Sequence, residues 1–249
     1  MPPSTVLAAL TDALRRDPGR PLLTFYDDAT GERIELSVAT FDNWVSKVAN
    51  LLDSELELGP GDLFAIELPP HWQVPVLVMG GWAAGLALST TDGPVQLCVV
   101  GPSALTSDGV READRVLACS LRPLGGRFAE ALPVGWLDFA VEVPPQPDEL
   151  LVAQPPTSDE VAIVSAAGLD THADVAAAGL DLAHRIGLEP GGRLLTDHDP
   201  ADAAGILTTL VAPLMVGASV VLVAPTTAER RTAIAAQERA TTFQWQAPG

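Results

Sequence analysis

The sequence carries very little positive charge. Its 249 residues include 14 Lys or Arg against 32 Asp or Glu, which gives a formal net charge of −18. A chain of this charge is repelled by nucleic-acid phosphates and by anionic lipid headgroups, so we expect neither a nucleic-acid nor a membrane partner. Lys47 is the only lysine. No lysine therefore follows it that could neutralise a bound phosphate.

Cysteines and long apolar runs are also scarce. Cys98 and Cys119 form no Cys-x-x-Cys pair and have no neighbouring histidine, so no metal or redox site is predicted. We expect both to be buried free thiols in a reducing cytoplasm. The N-terminus lacks the basic and apolar segments of a secretion signal. The most apolar stretch, residues 74–88, is too short to span a bilayer. The sequence predicts a soluble, cytoplasmic protein.

What the sequence does contain is a regular alternation of strand and helix patterns. Hydrophobic residues make up 47% of the chain and charged residues 18%, as in a folded globular protein. The first half predicts a helix capped by Ser4, a hairpin at 21–26 and 32–36, a helix from Ser37, strand 63–68, helix 72–84, and strands 86–89 and 95–100. The second half predicts strands 160–165, 193–197, 218–223 and 241–246 around helices 171–186, 200–216 and 227–239. This alternation indicates parallel βαβ units and an α/β fold.

The segment between these halves is less regular. Strands are plausible at 115–121 and near 136–142, and prolines at 144–147 and 155–156 mark a connection. We therefore expect two βαβ-type lobes with largely parallel sheets. The first, residues 1–150, includes the N-terminal helix and hairpin, and the second spans residues 151–249.

An internal echo supports two similar lobes. Residues 49–52 and 58–62 recur as residues 183–186 and 188–192, and each copy leads into a buried strand, an apolar helix and another strand. Chance similarity between helix–turn–strand units is the alternative interpretation.

Candidate polar side chains follow two of the predicted strands. His198 comes after strand 193–197 with Asp202 nearby, and His172 comes shortly after strand 160–165. Ligands of open α/β sheets gather at the carboxyl ends of strands, so these three residues are a candidate pocket.

Helix capping is the alternative for both segments. Asp199 precedes Pro200 at one helix start, and Asp170 or Thr171 precedes the other. A metal site formed jointly by the two loops is a further possibility, although no metal is assigned. We interpret His71 as a turn residue and His184 as a residue at the surface or core edge. No Gly-x-Ser-x-Gly nucleophile motif occurs.

Four segments, in order, resemble motifs of the adenylate-forming superfamily. Residues 58–66 (LGPGDLFAI) resemble its "G-x-P-G-D-x-V-A" turn and strand, and residues 80–86 (GGWAAGL) resemble a helix ending in "AGA". Residues 188–195 (LEPGGRLL) and 210–218 (LVAPLMVGA) resemble "L-x-P-G-D-R-V-L" and "L-x-P-L-x-x-G-A". The resemblance implies the N-terminal domain of acyl-CoA synthetases and related enzymes, in a truncated form, and membership of a group of short AMP-binding-related proteins.

The phosphate-binding signature departs from the family. Where the family has a loop like "T-S-G-T-T-G-x-P-K-G", residues 163–174 read IVSAAGLDTHAD. In the family the glycines and the lysine of that loop hold the β- and γ-phosphates. Ser165, Gly168 and Thr171 are the residues of a degenerate phosphate loop, and Asp170 and Asp174 add negative charge. The resemblance also implies that the family's later domain, with its second catalytic lysine, lies beyond this sequence.

These departures leave two functional hypotheses. In the first, the protein is non-catalytic and binds an acyl or nucleotide ligand or a protein partner. Self-association is expected there, because the missing later domain would leave apolar surface uncovered. In the second, it is an acyl-CoA synthetase-like ligase that activates a carboxylate with ATP through a reworked site. ATP or AMP and Mg²⁺ are cofactors only under the second hypothesis.

Overall fold

The structure is a computed structural model that describes residues 3–107 and 109–246. Its strands, in chain order, are β1 (Pro21–Asp27), β2 (Glu32–Ser37), β3 (Leu63–Glu67), β4 (Ala87–Ser89), β5 (Val95–Val100), β6 (Ala113–Ala118), β7 (Trp136–Asp138), β8 (Val161–Ser165), β9 (Gly168–Thr171), β10 (Arg193–Thr196), β11 (Ser219–Val223) and β12 (Thr242–Gln244). Its α-helices are α1 (Val6–Arg16), α2 (Val38–Asn50), α3 (Gln73–Ala83), α4 (Phe139–Glu142), α5 (His172–Ile186), α6 (Ala203–Ile206), α7 (Ala212–Val216) and α8 (Ala228–Glu238). Among the described residues, none of these helices has the length and apolar character needed to cross a membrane.

The strands form two sheets that are parallel except at one hairpin each. The five-stranded sheet has the order β12-β10-β11-β1-β2, and the seven-stranded sheet has the order β7-β6-β5-β3-β4-β8-β9. Among the strand pairs of the described residues, β1–β2 and β8–β9 are the antiparallel ones. The predicted α/β class with largely parallel sheets is therefore confirmed.

Each sheet contains strands from both sides of residue 150. The N-terminal hairpin β1–β2 joins β10, β11 and β12, whereas β8 and β9 join the sheet built by β3 to β7. The division into residues 1–150 and 151–249 remains a prediction about domains. The hydrogen-bonded sheets themselves draw strands from both sides of it.

Alternating side chains explain why the helices lie between the two sheets. On β3, Phe64 and Ile66 belong to the main core and Ala65 to a separate outer cluster; on β11, Val220 and Val221 divide in the same way. The main core also contains buried residues of α1, α2, α3, α5 and α7, and these helices contact one another. Each sheet thus turns one apolar face toward a shared helix layer, as expected for parallel sheets.

Glycines allow the helices of this layer to approach closely. A Cβ atom on Gly80 of α3 would lie 2.5 Å from Val48 Cγ1 of α2, and one on Gly179 of α5 would lie 2.4 Å from Val211 Cγ1. Real Cβ atoms essentially never approach that closely, so a side chain at either position would push the helices apart.

Three local predictions differ from the structure. Thr5, not Ser4, caps α1, because its side chain accepts a hydrogen bond from the Ala8 N–H at 3.1 Å. The strand predicted near 136–142 ends at Asp138, whose carboxylate caps the short helix α4. The helix predicted at 200–216 is interrupted by a π-helical segment at Leu207–Val211. Pro213 follows that segment and lacks the N–H that a regular helix requires.

The proline-rich connection is fastened to α2 by its polar side chains. The Lys47 ammonium donates to the carbonyls of Pro144 and Gln146 and pairs with Asp148 at 2.9 Å. Buried Asn50 donates to the carbonyls of residues 147 and 149 and accepts from the N–H of residue 151. The only lysine of the chain is therefore engaged in holding residues 144–151.

Candidate functional site

The predicted phosphate loop is a tight β-hairpin turn. Only Ala166 and Ala167 separate β8 from β9. The Ser165 hydroxyl donates to the Gly168 carbonyl at 3.4 Å and accepts from the Ala167 N–H at 3.2 Å. Gly168 has a φ of +138°, a conformation that side chains disfavour. Strand β9 was not predicted, because sequence alone did not indicate that the chain reverses immediately after β8.

Thr171 is occupied by the start of α5. Its hydroxyl accepts from the Asp174 N–H at 3.2 Å and donates to the Asp174 carboxylate at 2.6 Å, while that carboxylate accepts from the Thr171 N–H at 3.0 Å. This reciprocal arrangement is a capping box. The hydrogen bonds from Thr171 keep the pKa of the Asp174 carboxyl below its ordinary value, so Asp174 is ionised at neutral pH. The capping alternative therefore accounts for both residues.

His172 lies in the core rather than in an open pocket. It is 2% exposed, and its ring packs edge-on against Trp82 with centroids 5.8 Å apart. Burial lowers the pKa of His172, although the nearby Glu160 carboxylate opposes that change. The imidazole is consequently neutral at pH 7 and supplies no positive charge to an anion.

His198 lies at the carboxyl end of β10 with local partners. Its Nδ1 is 2.9 Å from the Thr196 hydroxyl, which also accepts from the His198 N–H at 3.2 Å. Asp197 instead points toward α8, where it pairs with Arg231 at 2.7 Å. Asp197 therefore interacts with α8, and Thr196 is the side chain that contacts the His198 imidazole.

Asp202 caps α6. Its carboxylate accepts from the Gly205 N–H at 2.6 Å, and a Cβ on Gly205 would lie 1.6 Å from the Asp199 carbonyl oxygen. The Asp199 carboxylate accepts from the Ala201 N–H at 2.9 Å. Burial raises the pKa of Asp199. This turn has the tight, capped geometry of a helix start.

The candidate residues lie on different sheets. Ser165, Gly168 and Thr171 belong to β8 and β9 of the seven-stranded sheet, whereas His198 and Asp202 follow β10 of the five-stranded sheet. Within the described ranges, no group of three or more His, Cys, Asp or Glu side chains could hold a metal ion. The structure thus gives no support to a metal site shared by the two loops, and a ligand-binding role for the individual residues stays a prediction.

His71, which the sequence predicts to be a turn residue, is buried. It is 4% exposed, and its Nε2 lies 3.6 Å from a carboxylate oxygen of buried Glu32. Its Nδ1 accepts from the Gln73 N–H at 3.3 Å, so we assign the ring proton to Nε2. The contact joins β2 of one sheet to the segment that follows β3 of the other. The separation of 39 positions gave no sequence signal for it.

A cleft between α8 and β12 was also not predicted. It has a volume of about 730 Å³ and is lined by Asp197, Ala228, Arg231, Thr232, Ala235, Phe243, Trp245 and Gln246. The available signal was the alternation of Phe243 and Trp245 in the predicted strand 241–246. Their common orientation becomes informative only once α8 is known to lie beside them.

Solved structures share this arrangement of sheets and helices. An acyl-CoA synthetase from Brucella canis matches with a TM-score of 0.76 and 20% identity, covering 95% of this chain and 47% of that one. An acetoacetyl-CoA synthetase from Streptomyces lividans matches with a TM-score of 0.78 and 18% identity, covering 97% and 42%. The chain has the fold of adenylate-forming enzymes. It corresponds to their N-terminal domain, as the sequence motifs predicted. At these identities the likeness establishes the fold alone.

Two further comparisons concern an enzyme solved with its ligand and a relative found by sequence. The anthranilate CoA ligase AuaEII, solved in complex with anthranoyl-AMP, matches with a TM-score of 0.75 and 16% identity, over 96% of this chain and 49% of that one. A protein of Mycobacterium tuberculosis (strain ATCC 25618 / H37Rv), named TIGR03089 family protein, is 41% identical over 160 residues, which is 60% of this chain and 63% of the relative. No family model matches the chain. The chain thus spans less than two thirds of that relative and about half or less of these adenylate-forming structures.

Proposed function

We propose that this protein is a non-catalytic protein with the adenylate-forming fold, which binds an acyl or nucleotide ligand or a protein partner without activating a carboxylate by ATP. The β8–β9 turn gives the strongest support. A phosphate-binding loop wraps its anion with several free backbone N–H groups. Here two residues close the turn, and the Ser165 hydroxyl bonds within it.

The electrostatics of the turn support the same proposal. Asp170 lies in β9, and Asp174 lies in the first turn of α5. The one lysine of the chain is bonded to residues 144–148. An ion pair of like sign about 4 Å apart costs on the order of 1–4 kcal/mol between water and a protein surface. A triphosphate placed at this turn would meet two carboxylates, and buried His172 would supply no positive charge to it. The residues present therefore do not fit ATP there, and no catalytic step is assigned to it.

Calorimetry with Mg-ATP tests the proposal directly. The full chain is titrated with Mg-ATP and with a non-hydrolysable acyl-adenylate analogue, and the melting temperature is followed in parallel. We expect no ATP binding in the submillimolar range and no release of pyrophosphate with any carboxylate offered. Binding of the analogue alone would favour a retained acyl or nucleotide site, whereas binding of neither would favour a protein partner.

The competing hypothesis is the ligase with a reworked site. It requires submillimolar ATP binding that weakens in a Ser165→Ala variant and strengthens in an Asp170→Asn variant. That pattern, or pyrophosphate release above the rate of a matched blank, would overturn the non-catalytic proposal.

A further inference from the structure

The cleft between α8 and β12 has the composition of a small-molecule site. Its volume of about 730 Å³ lies within the usual range for ligand pockets, which combine apolar walls with a few polar groups. It opens beside Asp197, at the carboxyl end of β10. Ligands of open α/β sheets bind at that end of the strands.

One wall of the cleft is aromatic. Phe243 is 45% exposed and Trp245 40% exposed, and their rings lie nearly parallel with centroids 6.4 Å apart. Both rings offer area onto which a flat ring can stack.

Arg231 provides the polar anchor. Its guanidinium lies over the Trp245 ring at 4.8 Å, which fixes its orientation. Among the described residues, Asp197 is the hydrogen-bond partner of its side chain, through Nη1 alone. The remaining N–H groups of the fork can donate to two oxygens of a carboxylate, the geometry that guanidinium favours.

Asp197 is itself already satisfied. One carboxylate oxygen bonds Arg231, and the other accepts from the Gln246 N–H at 2.7 Å. Both of its oxygens therefore already have a partner in the protein, and its charge offsets part of the attraction of Arg231 for an anion. The net charge of −18 disfavours ligands with several negative charges.

We propose that this cleft binds a planar aromatic molecule carrying one carboxylate. The ring stacks on Phe243 and Trp245, and the carboxylate accepts hydrogen bonds from Arg231. The site involves none of the residues of the β8–β9 turn, so it stands whether or not the protein uses ATP. Failure of the ATP experiment and failure of this one are therefore separate results.

Binding of 2-naphthoate to the full chain tests the proposal, measured by calorimetry and by ligand-observed NMR. We expect saturable binding with a Kd below roughly 1 mM, a modest affinity for a small ligand in an open cleft. The neutral analogue 2-naphthalenemethanol is expected to bind roughly tenfold more weakly, because it loses the charged contact with Arg231.

Substitutions of Arg231 and of its ion-pair partner Asp197 are expected to change the Kd differently. Arg231→Gln and Trp245→Ala should each raise the Kd roughly tenfold, by removing the carboxylate anchor or the stacking surface. Asp197→Asn should leave the Kd unchanged or lower it, since it removes a competing charge but keeps an acceptor for Gln246. Leu169→Ala, at a residue 65% exposed on β9, is the matched control and should bind like the unmodified chain.

Three results would overturn the proposal: no saturable binding up to about 10 mM, an unchanged Kd in Arg231→Gln and Trp245→Ala relative to the unmodified chain, or the same loss in Asp197→Asn as in Arg231→Gln. The last result would mean that the Arg231–Asp197 ion pair maintains the shape of the cleft and that Arg231 does not bind the carboxylate. If Trp245→Ala fails to fold by circular dichroism, Trp245→Leu replaces it, because leucine keeps apolar volume and removes the flat ring.

Discussion

The helix layer and the β8–β9 turn tolerate change very differently. In the helix layer, a Cβ on Gly80 would lie 2.5 Å from Val48 Cγ1, whereas a Cβ on Gly168 in the turn would meet no atom within 4 Å. The close contacts between helices depend on side chains that fill all available space. The turn stands in open space and can change length without disturbing the core.

This contrast explains how the adenylate-forming fold and phosphate chemistry can separate. The fold depends on alternating apolar residues in β3, β5, β10 and β11 and on glycines between helices. None of these residues belongs to the predicted phosphate loop. The non-catalytic proposal is compatible with this packing, because the two-residue β8–β9 turn contributes nothing to it.

The largest effect is expected from filling the helix contact. Gly80→Val should lower the free energy of unfolding by about 3 kcal/mol, since overpacking forces α3 away from α2. Gly93→Val is the control, because a Cβ on Gly93 meets nothing within 4 Å, and it should change stability by less than about 0.5 kcal/mol. Chemical denaturation measures both. Adding Val48→Ala should recover part of the loss, and no recovery would contradict the assigned contact.

The next effect concerns the connection that α2 holds. Asn50 is 1% exposed and makes three hydrogen bonds to residues 147–151. Asn50→Ala should cost about 2 kcal/mol, because it removes three hydrogen bonds made by a buried side chain. Asn43→Ala lies on the exposed side of the same helix and should be nearly neutral. Equal melting temperatures for the two variants would show that the connection does not depend on Asn50.

Much of this core was predictable from short-range pattern. Buried strands such as 63–68 and 218–223 show as apolar runs, and the helix from Ser37 shows by its capping residue and periodicity. The structure confirms these elements and the Ser37 cap. Such features depend on residues within a few positions of one another, so a single sequence contains the signal.

The site was less predictable, because its geometry depends on distant partners. Nothing local indicates that Arg231 meets Asp197, that His71 meets Glu32, or that β8 reverses after two residues. His172 followed a strand as a ligand-binding residue would, yet it packs against Trp82, which is 90 positions earlier. The sequence predicted that His172 follows a strand. It did not predict that the His172 side chain points into the core.

A smaller effect distinguishes a structural threonine from a phosphate ligand at the turn. Thr171→Ala removes the capping box of α5 and should lower stability by about 1 kcal/mol. Asp170→Ala, one position earlier on the exposed face of β9, should change it by less than about 0.5 kcal/mol. Thermal denaturation compares the two. If Thr171→Ala were neutral, the hydroxyl would be free for a ligand and the contrast between core and turn would weaken.

The smallest effect is a pH dependence that arises from His172, at the boundary between turn and core. Its folded pKa is lowered from the ordinary value of 6.5, mainly by burial. Between the two pKa values the unfolded chain binds a proton that the folded chain excludes, so stability falls as the pH drops. From pH 7 to pH 6 this loss should be under about 0.7 kcal/mol. His172→Phe preserves a ring against Trp82 and should remove that part of the slope, whereas His184→Gln, at an exposed position of α5, should not. Denaturation at each pH measures the free energy of unfolding. If it depends on pH equally in the unmodified chain and in His172→Phe, His172 is in contact with solvent, and an anion site at the turn becomes a valid hypothesis again.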